Sequence, residues 1–318
     1  MTTLTNFVSS NHLSAIERLG ERVEGTFTAE DAITKANLGG WNVRKEIMYL
    51  EGGREVPNQR AIVRDNPATG NISILGTVGA NYRPIQNEQH VEFLNVLVDE
   101  SGANFELAGA IDGGRRVFVS MKLPGHINVG GVDPTENSIL AINDHVGGMA
   151  FTLMVTPIRY ACKNVLNLPF AGMTNAFKIR HTSGAEKALR QQARAALDLT
   201  FDYLEDGFTV EAEDLINRTL TQARFEEIIT KEFSAPEDAA AAAITRAENK
   251  IDKMVELFAE AQTQDGIRDT AWAGLNAMTE WADHFSPTRG DDRDNTRAAK
   301  ALLSPGFKVR ALELMKAV

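Results

Sequence analysis

The sequence predicts an α+β fold, an antiparallel sheet of hairpins backed by helices and followed by an all-helical C-terminal region. Three observations carry this. Between Trp41 and about residue 182, short segments rich in β-branched residues alternate with turn signals such as NPATGN and IDGG. From Ser183 onward the strand pattern stops and apolar residues recur at helical spacing. Gly39-Gly40 closes a helical opening stretch. The expected organisation is a helical segment over 1–40, a sheet core over 41–182 and an acidic helical region over 183–318.

Three antiparallel strands are expected from WNVRKEIMYL, QRAIVRD and ISILGTV, with EGGR and NPATGN as their turns. A helix follows at NEQHVEFLNVLVDES, where Val91, Leu94 and Val98 are spaced i, i+3, i+7. ANFELAGAI and RRVFVSMKL form a hairpin about an Asp-Gly turn. GHINVGGVDPTEN reads as a loop, SILAIND and MAFTLMV as a second hairpin, and NAFKIRHT as a last strand. Between these strands, Thr156-Pro157 has the form of a helix start, a threonine cap before a proline whose missing N–H costs nothing in a first turn. A short helix over 156–167 would bury Ile158, Cys162, Val165 and Leu166. It would present Tyr160, Lys163, Asn164 and Asn167 as a stripe, with Arg159 on the flank. Long helices are expected near 185–204, 212–231, 237–263 and 270–285, and SPTRGDDRDNTR reads as a charged loop.

The chain has 318 residues, 43% of them hydrophobic and 24% charged, with no apolar run long enough for a membrane span. The N-terminus lacks the basic and apolar regions of a signal peptide, and Cys162 is the sole cysteine, so a reducing cytoplasm is the expected setting. A net charge of −10 argues against a polyanionic partner, but the charge is unevenly placed. Residues 186–318 hold 17 Lys/Arg against 25 Asp/Glu. Residues 157–194 hold seven cations against Glu186 alone. An acidic total therefore contains a basic stretch suited to an anionic partner.

No phosphate-cradling glycine loop, HExxH, GxSxG or metal-spaced Cys/His set occurs, so neither a cofactor nor a catalytic residue is expected. Asp144-His145 before Gly147-Gly148 places an acid beside an imidazole, which either forms a hairpin turn or serves a metal-dependent nuclease. Cys162 falls on the apolar side of its expected helix, as a buried thiol would. Strand alternation sends Arg115 and Arg116 to opposite faces. Lys187, Arg190 and Arg194 share one helix face at i, i+3, i+7 spacing. With Arg159, Tyr160, Lys163, Lys178 and Arg180 they form a cation–aromatic set suited to single-stranded nucleic acid, and Arg115, Arg116, Asn164 and Asn167 are counted with the same expected surface. The alternative is that these are ordinary solvated faces.

GTVGANYRPIQNEQHVEFLNVLV, GAIDGGRRVFVSMKLP and NDHVGGMAFTLMVTPIRYACKNVLNL resemble the phage/plasmid-like proteins grouped as domain of unknown function 932. TAWAGLNAMTEWADH resembles their C-terminal signature, so the likeness covers nearly the whole chain. The resemblance implies a gene carried by phages, prophages and plasmids, acting in the bacterial cytoplasm. The element order is similar to that of phage single-strand annealing proteins of the RecT and Red-beta type. That likeness implies a cofactor-free homo-oligomer binding single-stranded DNA, with RNA as an alternative, beside phage or host replication and recombination partners. The competing expectation is an interaction protein that engages a phage or host factor, for example a defence component, through its acidic helices.

Overall fold

The structure is a computed structural model that describes residues 12–318 apart from 24, 26, 27, 68 and 182–191; of Glu92 it describes the backbone alone. The chain enters through two short helices, α1 (Ala15–Leu19) and α2 (Ala29–Lys35), on either side of a two-residue strand β1 (Glu21–Arg22). Ser14 and Glu17 close a reciprocal capping box at the start of α1. A meander of β2 (Arg44–Tyr49), β3 (Glu55–Asp65) and β4 (Ile72–Gly79) forms a separate three-stranded antiparallel sheet.

After α3 (Val91–Ser101) the main sheet is laid down by β5 (Asn104–Ile111), β6 (Arg116–Lys122), β7 (Ile127–Val129), β8 (Asp133–Asp144), β9 (Phe151–Arg159) and β10 (Ala176–Ile179). Its order is β1-β5-β6-β8-β9-β10, with β7 also on β8, and every pairing is antiparallel. The β5–β6 turn needs three successive residues in the left-handed region, Asp112, Gly113 and Gly114, which explains the IDGG sequence.

The helical half follows as α4 (Ala193–Asp202), a π-helical turn at Tyr203–Thr209, α5 (Val210–Ile216), α6 (Gln222–Phe233) and α7 (Ala241–Ala259). It ends with α8 (Ala271–Glu280), a second π-helical turn at Trp281–Phe285, α9 (Arg293–Leu303) and α10 (Gly306–Lys316). This is the expected class, antiparallel sheets toward the N-terminus and helices toward the C-terminus.

β8 and β9 are buried along their whole length, because helices cover both faces of the sheet. On one face Val117, Val119, Ile139, Ala141, Leu153 and Val155 join a core that includes Leu94 and Leu97 of α3 and Ala196 and Leu197 of α4. That core runs unbroken into Phe170, Tyr203, Phe208, Trp272 and Met278. On the other face Phe118, Leu140, Ile142 and Met154 pack with Ala15 and Ile16 of α1 and Ala298, Ala301 and Leu302 of α9.

Three local expectations are corrected. The helix expected at 156–167 is instead the end of β9 followed by a loop. Thr156-Pro157 fits mid-strand because the Pro157 C=O points away from β8, accepting from Leu166 N–H at 2.8 Å, so its missing N–H takes nothing from the β8 ladder. One helix-type bond, Lys163 N–H to the Arg159 C=O at 2.9 Å, is followed at once by the left-handed φ of 58° at Lys163. The loop expected at 125–137 contains β7 and the start of β8, whose polar Thr135 and Asn137 stand opposite Arg159 and Pro157. The single helix expected near 212–231 is broken between α5 and α6, where Thr219 bridges Thr270 and Thr221 caps α6.

Gly109 on β5 marks the tightest backbone crossing on this side of the sheet. A Cβ there would lie 2.6 Å from the Leu19 carbonyl oxygen, which belongs to backbone and cannot rotate away. Gly109→Ala should therefore lower the unfolding free energy in a urea titration by about 1–3 kcal/mol, the usual cost of overpacking.

Candidate nucleic-acid interface

The stretch expected to face a ligand faces inward for the most part. Arg159 is 1% exposed and directs Nε to both carboxylate oxygens of Asp133, at 2.8 and 2.7 Å. Trp272 of α8 donates Nε1–H to the same carboxylate at 2.7 Å. Burial alone would lower the Arg159 pKa, but the adjoining Asp133 charge outweighs it and holds the guanidinium ionised. Asn164 is fully buried and donates to Asn276 Oδ1 at 3.2 Å and to the Thr279 hydroxyl. Asn167 donates to the Leu302 C=O at 2.8 Å. Val165 N–H donates to Asp283, which is ion-paired with buried Lys308 at 2.7 Å. Cys162 is buried among these groups, and burial pushes its thiol up to about 12, which leaves it inert. The loop after β9 is thus a hub of internal polar bonds joining the sheet to α8, α9 and α10. Arg159, Asn164 and Asn167 are not available to an external strand.

The remaining candidates are dispersed. Tyr160 and Lys163 do meet, with Nζ 5.2 Å from the ring centroid, and Lys122 approaches the same ring at 6.0 Å. Lys122 is itself ion-paired with Glu136. Lys178 on β10 lies opposite Thr152, on the sheet face that also carries Tyr160. Tyr160, just past the end of β9, is eight steps along the strand from Thr152, roughly 26 Å. Arg180 is exposed beyond the end of β10. Arg194 pairs with Glu100 of α3, against the opposite sheet face. Arg116 is held by Asp112 and Asp144, and Arg115 donates to the Leu75 C=O at 2.7 Å, tying the meander to the main sheet. Lys187 and Arg190 lie outside the described residues.

Asp144 and His145 serve the β8–β9 turn and its neighbours. The Asp144 carboxylate accepts from Val146 N–H at 2.8 Å and from Arg116 Nε at 3.0 Å. His145 is buried beside Asn87 at 3.1 Å, and burial lowers it to about 3, so it is neutral. Among the described residues no group of three or more His, Cys, Asp and Glu could hold a metal ion.

A different surface brings cations and aromatic rings together. α7 carries Arg246, Lys250 and Lys253 at i, i+4, i+7, a row about 60° wide on the helix. Glu248 and Asp252 form a short exposed acid row on the far side of the helix, while Glu256 is ion-paired with Lys253 at 2.6 Å. The cations border an open groove of about 620 Å³ whose other wall is Trp281, Phe285 and Pro287. Lys250 Nζ lies 3.5 Å from the Phe233 ring centroid, 4.4 Å from Phe307 and 5.0 Å from Trp281, while Lys253 lies 4.5 Å from Phe285. Burial lowers Lys250 to about 8. Arg246 is exposed and has no ion-pair partner among the described residues. The signals are present in the sequence as the i, i+4, i+7 cations and the Trp281/Phe285 i, i+4 pair, but the acidic sum of the region conceals them.

The family model described as Domain of unknown function (DUF932) matches residues 74–303. No curated protein and no solved structure matches the chain.

The inward position of Arg159 has a measurable consequence. Arg159→Ala strands the Asp133 charge in the core and should cost about 3–5 kcal/mol of unfolding free energy in urea. Arg159→Met with Asp133→Leu should cost less than Arg159→Ala alone, because no buried charge is left unpaired. A surface arginine would change stability by only about 0.5 kcal/mol.

Proposed function

We propose that the chain, which belongs to the DUF932 family, binds single-stranded nucleic acid without a cofactor. The observation that carries this reading is the row Arg246, Lys250 and Lys253 set against Trp281 and Phe285. Cations along one wall neutralise phosphates, and half-exposed rings on the other stack bases without selecting sequence. Tyr160 with Lys163 and Lys122 repeats the pairing on a smaller scale. The reading moves the contact surface from the stretch after β9 to the groove between α7 and the second π-helical turn. A role on phage or plasmid DNA during replication or recombination, in the bacterial cytoplasm, belongs to the same proposal.

Assembly into a homo-oligomer is part of it. The meander sheet ends in two strands, β2 and β4, that pair only with β3. It also leaves Tyr49, Ile72 and Ile74 exposed at 61%, 58% and 75%. An apolar sheet with two open edges supports contact between copies. Light scattering should return a mass above that of one chain, and a monomer mass with and without DNA would remove this part of the reading.

A gel-shift titration with single- and double-stranded DNA at two salt concentrations tests the groove. Arg246→Ala with Lys253→Ala should leave the fold intact and weaken single-strand binding. The log–log salt slope should flatten by about 0.7 for each phosphate that is no longer neutralised. Equal affinity and slope in the parent and the double variant would sink the proposal.

The lowered Lys250 supplies a pH signature. Its cation is present below about pH 8 and lost above it, whereas an ordinary lysine keeps its charge to near pH 10. Affinity should fall as pH rises through 8 to 9, and Lys250→Arg should hold it level, since a guanidinium does not titrate there. The same shift makes folding more favourable as pH rises from about 8 toward 10.5, because the unfolded chain binds the extra proton in that window.

A further inference from the structure

The first π-helical turn also walls a pocket. Leu204, Glu205 and Thr209 form one side of a cavity of about 270 Å³, and Leu123, Pro124 and Ile127 form the other. π-helical turns are rare and concentrate at functional sites, because the extra residue widens the helix and re-aims its side chains. Here the Thr209 hydroxyl donates to the Leu204 C=O at 2.6 Å and ties the widened turn together. The cavity is slightly smaller than the roughly 300–1,000 Å³ of pockets for drug-sized ligands. One flat ring system fits it, and a dinucleotide does not.

Asn137 of β8 lines this pocket and is 6% exposed, and its Oδ1 has no hydrogen-bond partner. Its backbone is already engaged, since Leu123 N–H donates to the Asn137 C=O at 2.9 Å. Polar atoms buried this deeply are ordinarily paired, and an unpaired acceptor in a pocket wall calls for a ligand N–H. A carboxamide presents an acceptor beside two donors, the pattern that pairs with the edge of a base. Phe201, 40% exposed, borders the pocket and offers a ring for stacking. Exposed Glu205 can accept from an exocyclic amine or a ribose hydroxyl and disfavours a phosphate beside it.

From these features we infer that the pocket between β8 and the first π-helical turn binds a nucleobase, with Asn137 reading its donor–acceptor edge and Phe201 stacking on its face. The base can come from a free nucleoside or from a single strand with its phosphates kept outside. The pocket shares no residue with the groove along α7, so the inference stands if the groove reading fails.

Calorimetric or ligand-observed NMR titration of the full chain with adenosine, uridine and N6,N6-dimethyladenosine tests it. Adenosine should bind saturably, with a dissociation constant on the order of 1 mM or tighter. Asn137→Leu and Phe201→Ala should each weaken it by roughly tenfold. Phe201 is exposed, so that variant keeps the fold even if Asn137→Leu does not. N6,N6-dimethyladenosine, which lacks the N6–H donor, should bind more weakly than adenosine. Arg246→Ala with Lys253→Ala should not change adenosine affinity, which separates this pocket from the groove. Displacement of adenosine by a dA oligonucleotide would identify a strand as the source, and lack of displacement a free nucleoside. No saturable binding of either adenosine or uridine, or binding indifferent to both Asn137→Leu and Phe201→Ala, would overturn the inference.

Discussion

The ion pair between Arg159 and Asp133 constrains much of the rest of the molecule. Both groups are buried, at the ends of adjacent strands, where neither charge can be hydrated. Two charges removed from water are tolerable only if their remaining hydrogen-bonding capacity is met, and Trp272 of α8 supplies the further donor to Asp133. The sheet end is therefore completed by a helix that arrives more than a hundred residues later. The same holds one turn on, where Asn164, Val165 and Asn167 take their partners from Asn276, Thr279, Asp283 and Leu302. Burial raises the Asp283 carboxyl and lowers the Lys308 amine, each opposed by the charge of the other. A network of this kind adds modest net stability and much specificity, because a shifted docking of the helices would leave several polar groups unpaired at once.

How far this is legible in the sequence depends on the kind of signal. The β2–β3–β4 meander and the hairpin about Asp112 follow from turn chemistry and period-two patterning, both local. The region after Phe151 misleads because β9 is buried on both faces, so its apolar residues do not alternate. In such a run Thr156-Pro157 resembles a helix start, and only the pairing with β8 shows that the proline lies where no N–H is required. The polar start of β8 resembles a loop for the converse reason. Asp133 and Asn137 look solvent-bound until Arg159 and the pocket below Phe201 are in place, and those contacts are long-range.

The candidate surfaces are hidden by averaging. Summed over residues 186–318 the charge is strongly acidic, yet α7 sets Arg246, Lys250 and Lys253 toward the aromatic wall, with Glu248 and Asp252 on its far side and Glu256 paired with Lys253. Periodicity resolves this where composition cannot. The π-helical turns are invisible to either test. The first runs on into α5 and the second ends α8, and each forms a wall of one of the two open sites, through Leu204 and Glu205 in the first case and Trp281 and Phe285 in the second.

The placement of charge on α7 also bears on how a net-negative protein could hold a polyanion. Glu256 already offsets Lys253 at 2.6 Å, so a phosphate in the groove would meet chiefly Arg246, which has no ion-pair partner among the described residues, with Lys250 beside it. The acid row of Glu248 and Asp252 lies across a helix about 10–12 Å wide with its side chains, about one Debye length away, and is largely screened at physiological ionic strength. Lowering the salt strengthens both terms, since the acids then reach the groove as well. The two contributions partly cancel, and the salt dependence at this site should be shallower than its count of cations alone implies. The acid row thus limits indiscriminate long-range attraction to nucleic acid and leaves short-range contact, where the aromatic rings act, to decide what is held.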